Sequence, residues 1–296
     1  WQHHATDRPH FLEVQERLDC ATRTLGMSKF KRLYSGLVQD TRQSHVRQGQ
    51  LLESVRNMIV EYAERCGGDT VQADKYFETV QRNALTTGGA QELVTEVDKI
   101  AVRMYTTAEK YNGIELCGIL NKALREDQVE HAVVLTRVLN GYCVTGRQDG
   151  SQPVRPLAGR KVYRGGSFDP KHRHFFVPEK AYRVPMFLST SCAELQARNF
   201  ILYKMKPHLE PILWTIKLDP RGCKHVNFID RHDGTLHTHH DTPAENEFLF
   251  APYSAFTIQS VLWQDVPTAG QPHEVVLRAV YDNLEAPEDL PLAPWA

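Results

Sequence analysis

Pro243-Ala244-Glu245-Asn246-Glu247-Phe248-Leu249-Phe250 sets two carboxylates two residues apart at the head of an apolar run of strand formers. Residues i and i+2 of a strand project to the same face, so Glu245 and Glu247 would stand side by side. Like charges that close disfavour joint ionisation. A fold tolerates such a pair most readily where it does acid–base work or steadies a developing cation. On a solvated strand face the same spacing is ordinary and weakly repulsive, so the pair by itself leaves both readings open.

Outward from this stretch, the C-terminal half reads as short β runs. They are Lys161–Arg164, Val184–Ser189, Ile212–Leu218, Glu245–Phe250, Phe256–Trp263 and Val275–Tyr281, with one helix over Ala193–Phe200. Such runs with irregular loops between them predict mostly antiparallel pairing. The tail from Ala286 is broken by Pro287, Pro291 and Pro294, so no helix or strand is expected there. A Gly-, Pro-, Gln- and Ser-rich connection over 145–160 separates this half from a helical one.

In the helical half, residues 8–25 have Asp7 as N-cap and Pro9 in the first turn. Leu51, Leu52, Val55, Ile59 and Tyr62 recur at helical spacing over 48–66, where Gly67-Gly68 stops them. A further helix is expected over 71–83. Val94, Val97, Ala101, Met104 and Ala108 then mark a single apolar face. Ile114–Arg125 and Val129–Leu139 follow in the same style. The fold class is therefore α+β, a helical N-terminal region followed by a mostly antiparallel β lobe.

Composition narrows the function. The net charge of −1 over 296 residues gives no global basic field for nucleic acid or an anionic membrane. No apolar run approaches the ~20 residues that span a bilayer. The six cysteines include no Cys-x-x-Cys pair, and the chain has no Asn-x-Ser/Thr sequon, so reduced thiols and an intracellular location are expected. The helical half has no Gly-rich phosphate loop, metal-ligand spacing or Gly-x-Ser-x-Gly elbow.

Two more motifs precede the acid pair. Val162-Tyr163-Arg164-Gly165-Gly166 ends a strand with an Arg beside two glycines, where a guanidinium can grip phosphate and the backbone can approach a flat ligand. Taken alone it is equally a surface Arg before a turn. Phe187-Leu188-Ser189-Thr190-Ser191 brings hydroxyls out of an apolar strand, which calls for hydrogen-bond partners or a helix cap. In this order, Arg164, Ser189-Thr190-Ser191 and Glu245-x-Glu247 resemble the Arg…Ser-Thr-Ser…Glu-x-Glu pattern of arginine-specific mono-ADP-ribosyltransferases. The flanks Met104-Tyr105-Thr106 and Asn121-Lys122-Ala123-Leu124-Arg125 look like that family's helical lead-in. Pro252, Phe256 and the run to Val261 look like its closing strands. The resemblance implies an ADP-ribosyltransferase domain over 93–285, preceded by a helical region over 1–92 and followed by the Pro-rich tail over 286–296.

The resemblance implies NAD as substrate, with Arg164 on its phosphates and the Gly165 backbone on the nicotinamide amide. Ser189 would fix the nicotinamide-side ribose and orient Glu247, with Thr190 and Ser191 completing the cofactor-binding triplet. Glu247 would take the ribose 2′-OH and steady the oxocarbenium-like carbon as nicotinamide leaves. Residues 231–244 fall at the target-recognising turn, and Glu245 would engage the arginine of a protein acceptor. Rival readings are an NAD glycohydrolase at the same site and a catalytically silent NAD- or protein-binding module. No metal is expected, although His232, His237, His239 and His240 crowd that turn. Phe175 and Phe176 are read as core. Residues 1–20 also faintly resemble the last helix of a protein kinase domain (Trp1, Arg8, Pro9, Phe11), which would mark a piece cut from a longer chain.

Overall fold

The computed structural model describes Leu33 and residues 46–86, 94–144, 159–204, 207–229 and 247–295. Residues 8–25, Glu245 and the His-rich turn lie outside the described residues. Helix α1, Gln48–Arg65, buries Leu51, Val55, Met58, Ile59 and Tyr62 on one face. It stops where expected, with Gly67 left-handed at φ 65° and Gly68 N–H donating to the Ala63 carbonyl at 2.8 Å. Asp69 then caps α2, Thr70–Leu85, accepting from Val71 N–H at 2.8 Å.

Helix α3, Val97–Tyr105, is shorter than the Val94–Ala108 periodicity predicts. The hairpin of β1 (Lys110–Tyr111) and β2 (Ile114–Glu115) turns through Asn112 and Gly113, both at positive φ. Pairing in that hairpin takes Ile114 and Glu115 out of the expected helix, so α4 is Leu116–Arg125. Helix α5 runs Val133–Val144, beginning later and ending later than its apolar spacing suggests.

After Gly159 come β3 (Lys161–Phe168), β4 (Ala181–Val184), β5 (Leu188–Ser191), helix α6 (Glu194–Lys204) and β6 (Glu210–Lys217). Strands β7 (Val226–Ile229), β8 (Glu247–Phe250), β9 (Ser254–Leu262) and β10 (His273–Ala279) complete the set. One eight-stranded sheet has the order β4-β9-β10-β6-β3-β5-β8-β7, antiparallel except where β10 pairs with β6. The run Val184–Ser189, read as one strand, is two. Pro185 has no N–H for a ladder, so the chain leaves the sheet there. It re-enters as β5, five places from β4 in the strand order. Strand β3, by contrast, continues through Gly165-Gly166 to Phe168.

The apolar core is continuous from α1 and α2 through α3–α5 to the sheet, taking in Leu51, Ile59, Phe77, Met104, Leu120, Phe187, Ile216, Phe250 and Phe256. Each such side chain contributes ~1.5–3 kcal/mol on burial. Phe175 and Phe176 are core, as expected, packed against Tyr182 and Trp295. The five described cysteines are free thiols. No described helix is long and apolar enough to cross a membrane.

The Pro-rich tail has the expected irregular backbone, yet it is docked along the edge strand β4. Arg183 N–H donates to Pro291 O at 2.9 Å, and Ala293 N–H returns a bond to Arg183 O at 2.8 Å. The buried Arg183 guanidinium donates to the carbonyls of Tyr253 (2.7 Å), Ala286 (2.9 Å) and Pro287 (2.9 Å). Trp295 stacks on Phe176 with ring centres 4.4 Å apart. An exposed sheet edge invites pairing with other chains, and here the tail covers it. Arg183→Met should therefore cost about 3 kcal/mol, because several buried carbonyls lose their donor together. Urea denaturation measures this, and an unchanged midpoint would mean the tail contributes no stability.

Candidate functional site

Strand β3 has two very different edges. On one side it pairs with β6 along its whole length, from Lys161↔Lys217 to Phe168↔Glu210. On the other it meets β5 at the single pair Tyr163↔Ser191. Beyond that pair the two strands part, and the β3 backbone at Arg164 and Gly165 has no strand partner on that edge. Arg164 spans the opening, its Nη1 donating to the Ser189 carbonyl at 2.9 Å.

Across β5, Ser189 pairs with Leu249 and Ser191 with Glu247. Ser189 and Glu247 are thus diagonal neighbours on one face, and the Ser189 hydroxyl donates to Glu247 Oε1. Sequence reasoning named Arg164, Ser189 and Glu247, and these three come together at the mouth of the β3–β5 opening. Thr190 alternates to the opposite face of β5, whereas Ser191 shares the face of Ser189 and is engaged locally. The buried Thr190 hydroxyl donates to the Phe248 carbonyl at 2.8 Å, and Ser191 Oγ accepts from Ala193 N–H at 3.1 Å ahead of α6.

Gly165 has a structural reason that its sequence context does not reveal. A Cβ there would lie 1.7 Å from the Ala197 carbonyl oxygen, because the α6 backbone packs directly onto β3. Gly166 is less constrained, its Cβ position being 3.3 Å from the Trp214 ring.

The helical half supplies side chains to which the sequence assigned no role. Tyr105, at the end of α3, is buried and packs edge-on against Phe187 at 5.6 Å. Burial first, then the charges of Cys117 and Glu247, push its phenol well above the usual range, against the opposing pull of Asn121 and Arg164. Tyr105 therefore remains a neutral hydroxyl beside the acid. From α4, Asn121 Oδ1 accepts from Phe187 N–H at 3.1 Å, tying that helix to the approach of β5. One turn on, Arg125 Nη1 lies 3.2 Å from Met186 Sδ.

Burial lowers the pKa of Arg164, with Tyr105 and Glu247 opposing and Arg125 reinforcing the shift. Burial likewise lowers that of Arg125. Guanidinium stays protonated under such shifts. Among the described residues, two cations thus stand around Glu247, which suits an anionic ligand with a phosphate group. Asn121 and Arg125 interrupt an apolar helix face at i and i+4, which is the signal that could have marked them in the sequence. Among the described residues no group of three or more His, Cys, Asp or Glu could hold a metal ion.

No family model and no curated protein matches the chain. Among solved structures it is similar to the Vis toxin, an ADP-ribosyltransferase from Vibrio splendidus. The identity is 17%, over 72% of this chain and 86% of that one, with a TM-score of 0.43. A truncated form of the type III effector XopAI from Xanthomonas axonopodis pv. citri aligns over 86% of this chain and 97% of its own. That pair has 12% identity and a TM-score of 0.47. C3stau2 from S. aureus, solved with NAD, aligns over 72% and 96% at 15% identity and a TM-score of 0.41. Likeness at this level carries no argument about this chain, whose reading rests on its own residues.

Gly165→Ala should cost about 3 kcal/mol, because the new methyl meets backbone rather than a movable side chain. Gly166→Ala should stay within about 1 kcal/mol of neutral. Paired urea denaturation curves test this, and equal midpoints for the two variants would contradict the packing of α6 on β3.

Proposed function

We propose that the chain is a mono-ADP-ribosyltransferase that moves ADP-ribose from NAD to arginine side chains of a protein, releasing nicotinamide. One observation carries this reading. Glu247 is hydrogen-bonded by Ser189, whose own carbonyl is held by Arg164 across the β3–β5 opening. Three residue types singled out for NAD chemistry thus form one connected unit, although they come from three different strands.

NAD itself would supply the bond to be broken and nicotinamide as leaving group. Arg164, joined by Arg125, would hold the diphosphate, since paired guanidiniums match phosphate oxygens in charge and geometry. The unpaired β3 edge at Gly165 offers backbone groups for a flat amide. As the bond from the ribose C1 to the nicotinamide nitrogen lengthens, its electron pair leaves with nicotinamide and the sugar carbon becomes cationic. Glu247 would face that carbon as a fixed counter-charge, already oriented by Ser189, so little reorganisation accompanies the charge as it develops.

The acceptor half of the reading rests on the sequence, where Glu245 precedes Glu247 by two residues. A guanidinium is protonated in water, with a pKa above ~12. A second carboxylate that orients it and takes its proton as the C–N bond forms meets that need.

Labelled NAD with an arginine-rich protein acceptor tests the whole reading. Label on arginine supports transfer, free ADP-ribose alone means an NAD glycohydrolase, and neither product means a binding module. Glu247→Gln should lower both transfer and NAD hydrolysis by on the order of 10²–10³, and a variant with most of its turnover intact would remove Glu247 from its role. Glu245→Gln should spare hydrolysis while arginine modification is lost. Parallel loss of both activities would refute the division of labour between the two carboxylates.

A further inference from the structure

Lys161 on β3 pairs with Lys217 on β6, which in turn pairs with Arg278 on β10. Residues directly opposite across a ladder share a face, so three cations stand in a row across three neighbouring strands. All three are exposed, as is Arg160 at the end of the row. None of the four makes an ion pair with a described residue. Asp219 is within electrostatic reach of Arg278, but Arg221 holds it through bonds of 2.9 and 3.2 Å. The acids at the other end of this face, Glu194 and Glu274, are taken by Arg198 at 2.8 and 3.6 Å. Like charges directly opposite weaken a sheet, so the row works slightly against folding and has no ion-pair partner among the described residues.

The rest of the face narrows what would cover it. Helix α6 covers only the part where Tyr163, Ala197, Ile201 and Leu213 cluster. Between that cluster and the cations lie the half-buried Thr215 and Val276, a modest apolar margin beside the charge. Adjacent strands are ~4.8 Å apart, so the row is roughly 10 Å long. Carboxylates at i and i+4 of a helix recur at ~6 Å, which fits a helix lying across the strands. A nucleic-acid strand fits less well. The ring of Tyr163 packs in part against the α6 cluster, which reduces the stacking surface beside the row. The net charge of −1 also provides no long-range pull on a polyanion.

We propose that the outer face of the sheet at Lys161, Lys217 and Arg278 docks an acidic helical segment of a partner protein. The contact is independent of NAD turnover, so its test does not depend on the catalytic reading. The probe is a fluorescein-labelled helical peptide with Glu at i, i+4 and i+8, beside a twin carrying Gln at those positions. Fluorescence anisotropy with the full chain should show binding of the Glu peptide at low salt, its loss at high salt, and no binding of the twin. The triple variant Lys161→Gln/Lys217→Gln/Arg278→Gln should bind roughly tenfold more weakly, with an unchanged thermal melt. If the triple variant melts lower, the single surface change Lys217→Glu replaces it and should also weaken binding. No binding by the native chain, or equal binding by native and variant chains, overturns the proposal. Tighter, row-dependent binding of an oligo-dT strand or of phosphatidylserine vesicles overturns it too, in favour of nucleic acid or membrane.

Discussion

Everything at the candidate site depends on how β3 and β5 part after one shared pair, Tyr163↔Ser191. A sheet that opened there without compensation would leave backbone donors and acceptors exposed on two edges, which folding normally avoids. Arg164 compensates in part. Its guanidinium is long enough to cross the opening and reaches the Ser189 carbonyl at 2.9 Å. No neutral side chain of that reach offers as many donors in a fixed plane. The opening is thus held at a set width by the residue that also gives it positive charge.

The charges around the opening offset one another in part. Arg164 and Arg125 are both drawn down by burial, and two buried guanidiniums in close company would repel. Glu247 moderates that repulsion and is itself held by the Ser189 hydroxyl. Tyr105 contributes a hydroxyl and no charge. Counting Arg164, Arg125 and Glu247 alone, one positive charge is in excess, which favours an anionic ligand.

Much of this was legible in the sequence because its signals are local. Helical spacing marked α1 and α2, and Gly67-Gly68 marked where α1 stops. The order of Arg164, Ser189 and Glu247 along the chain anticipated three side chains that meet in space. What escaped was set by tertiary structure. Pro185 divides an apparently single apolar run into strands that end far apart in the sheet. Strand β7 is four residues long and contains the buried Asn227, whose side chain donates to the Tyr142 carbonyl at 2.8 Å, so no clean alternation announces it. The carbonyls around Arg183 come from Tyr253 and the tail, and proline content alone conveys only the absence of regular structure. Gly165 looked like room for a ligand, whereas its missing side chain first makes room for Ala197.

The helical half shares one apolar core with the sheet and is not a separate attachment to it. Helices α1 and α2 share the core of α3–α5, and α3 and α4 carry Tyr105, Asn121 and Arg125 to the site. The bond from Phe187 N–H to Asn121 fixes the chain two residues before Ser189. Phe187 is simultaneously held by Tyr105 on its ring edge. The position of the Ser189 hydroxyl is therefore set from both sides, by the β5–β8 ladder and by helices whose own packing reaches back to α1. Interiors packed at that density transmit displacement rather than absorb it. Any shift of α4 relative to β5 would reach Ser189 through Phe187, and through Ser189 both the carboxylate and the guanidinium bonded to it. A site held in this way gains its geometry from the whole fold, which is why residues with no chemistry of their own are needed to orient the few that have it.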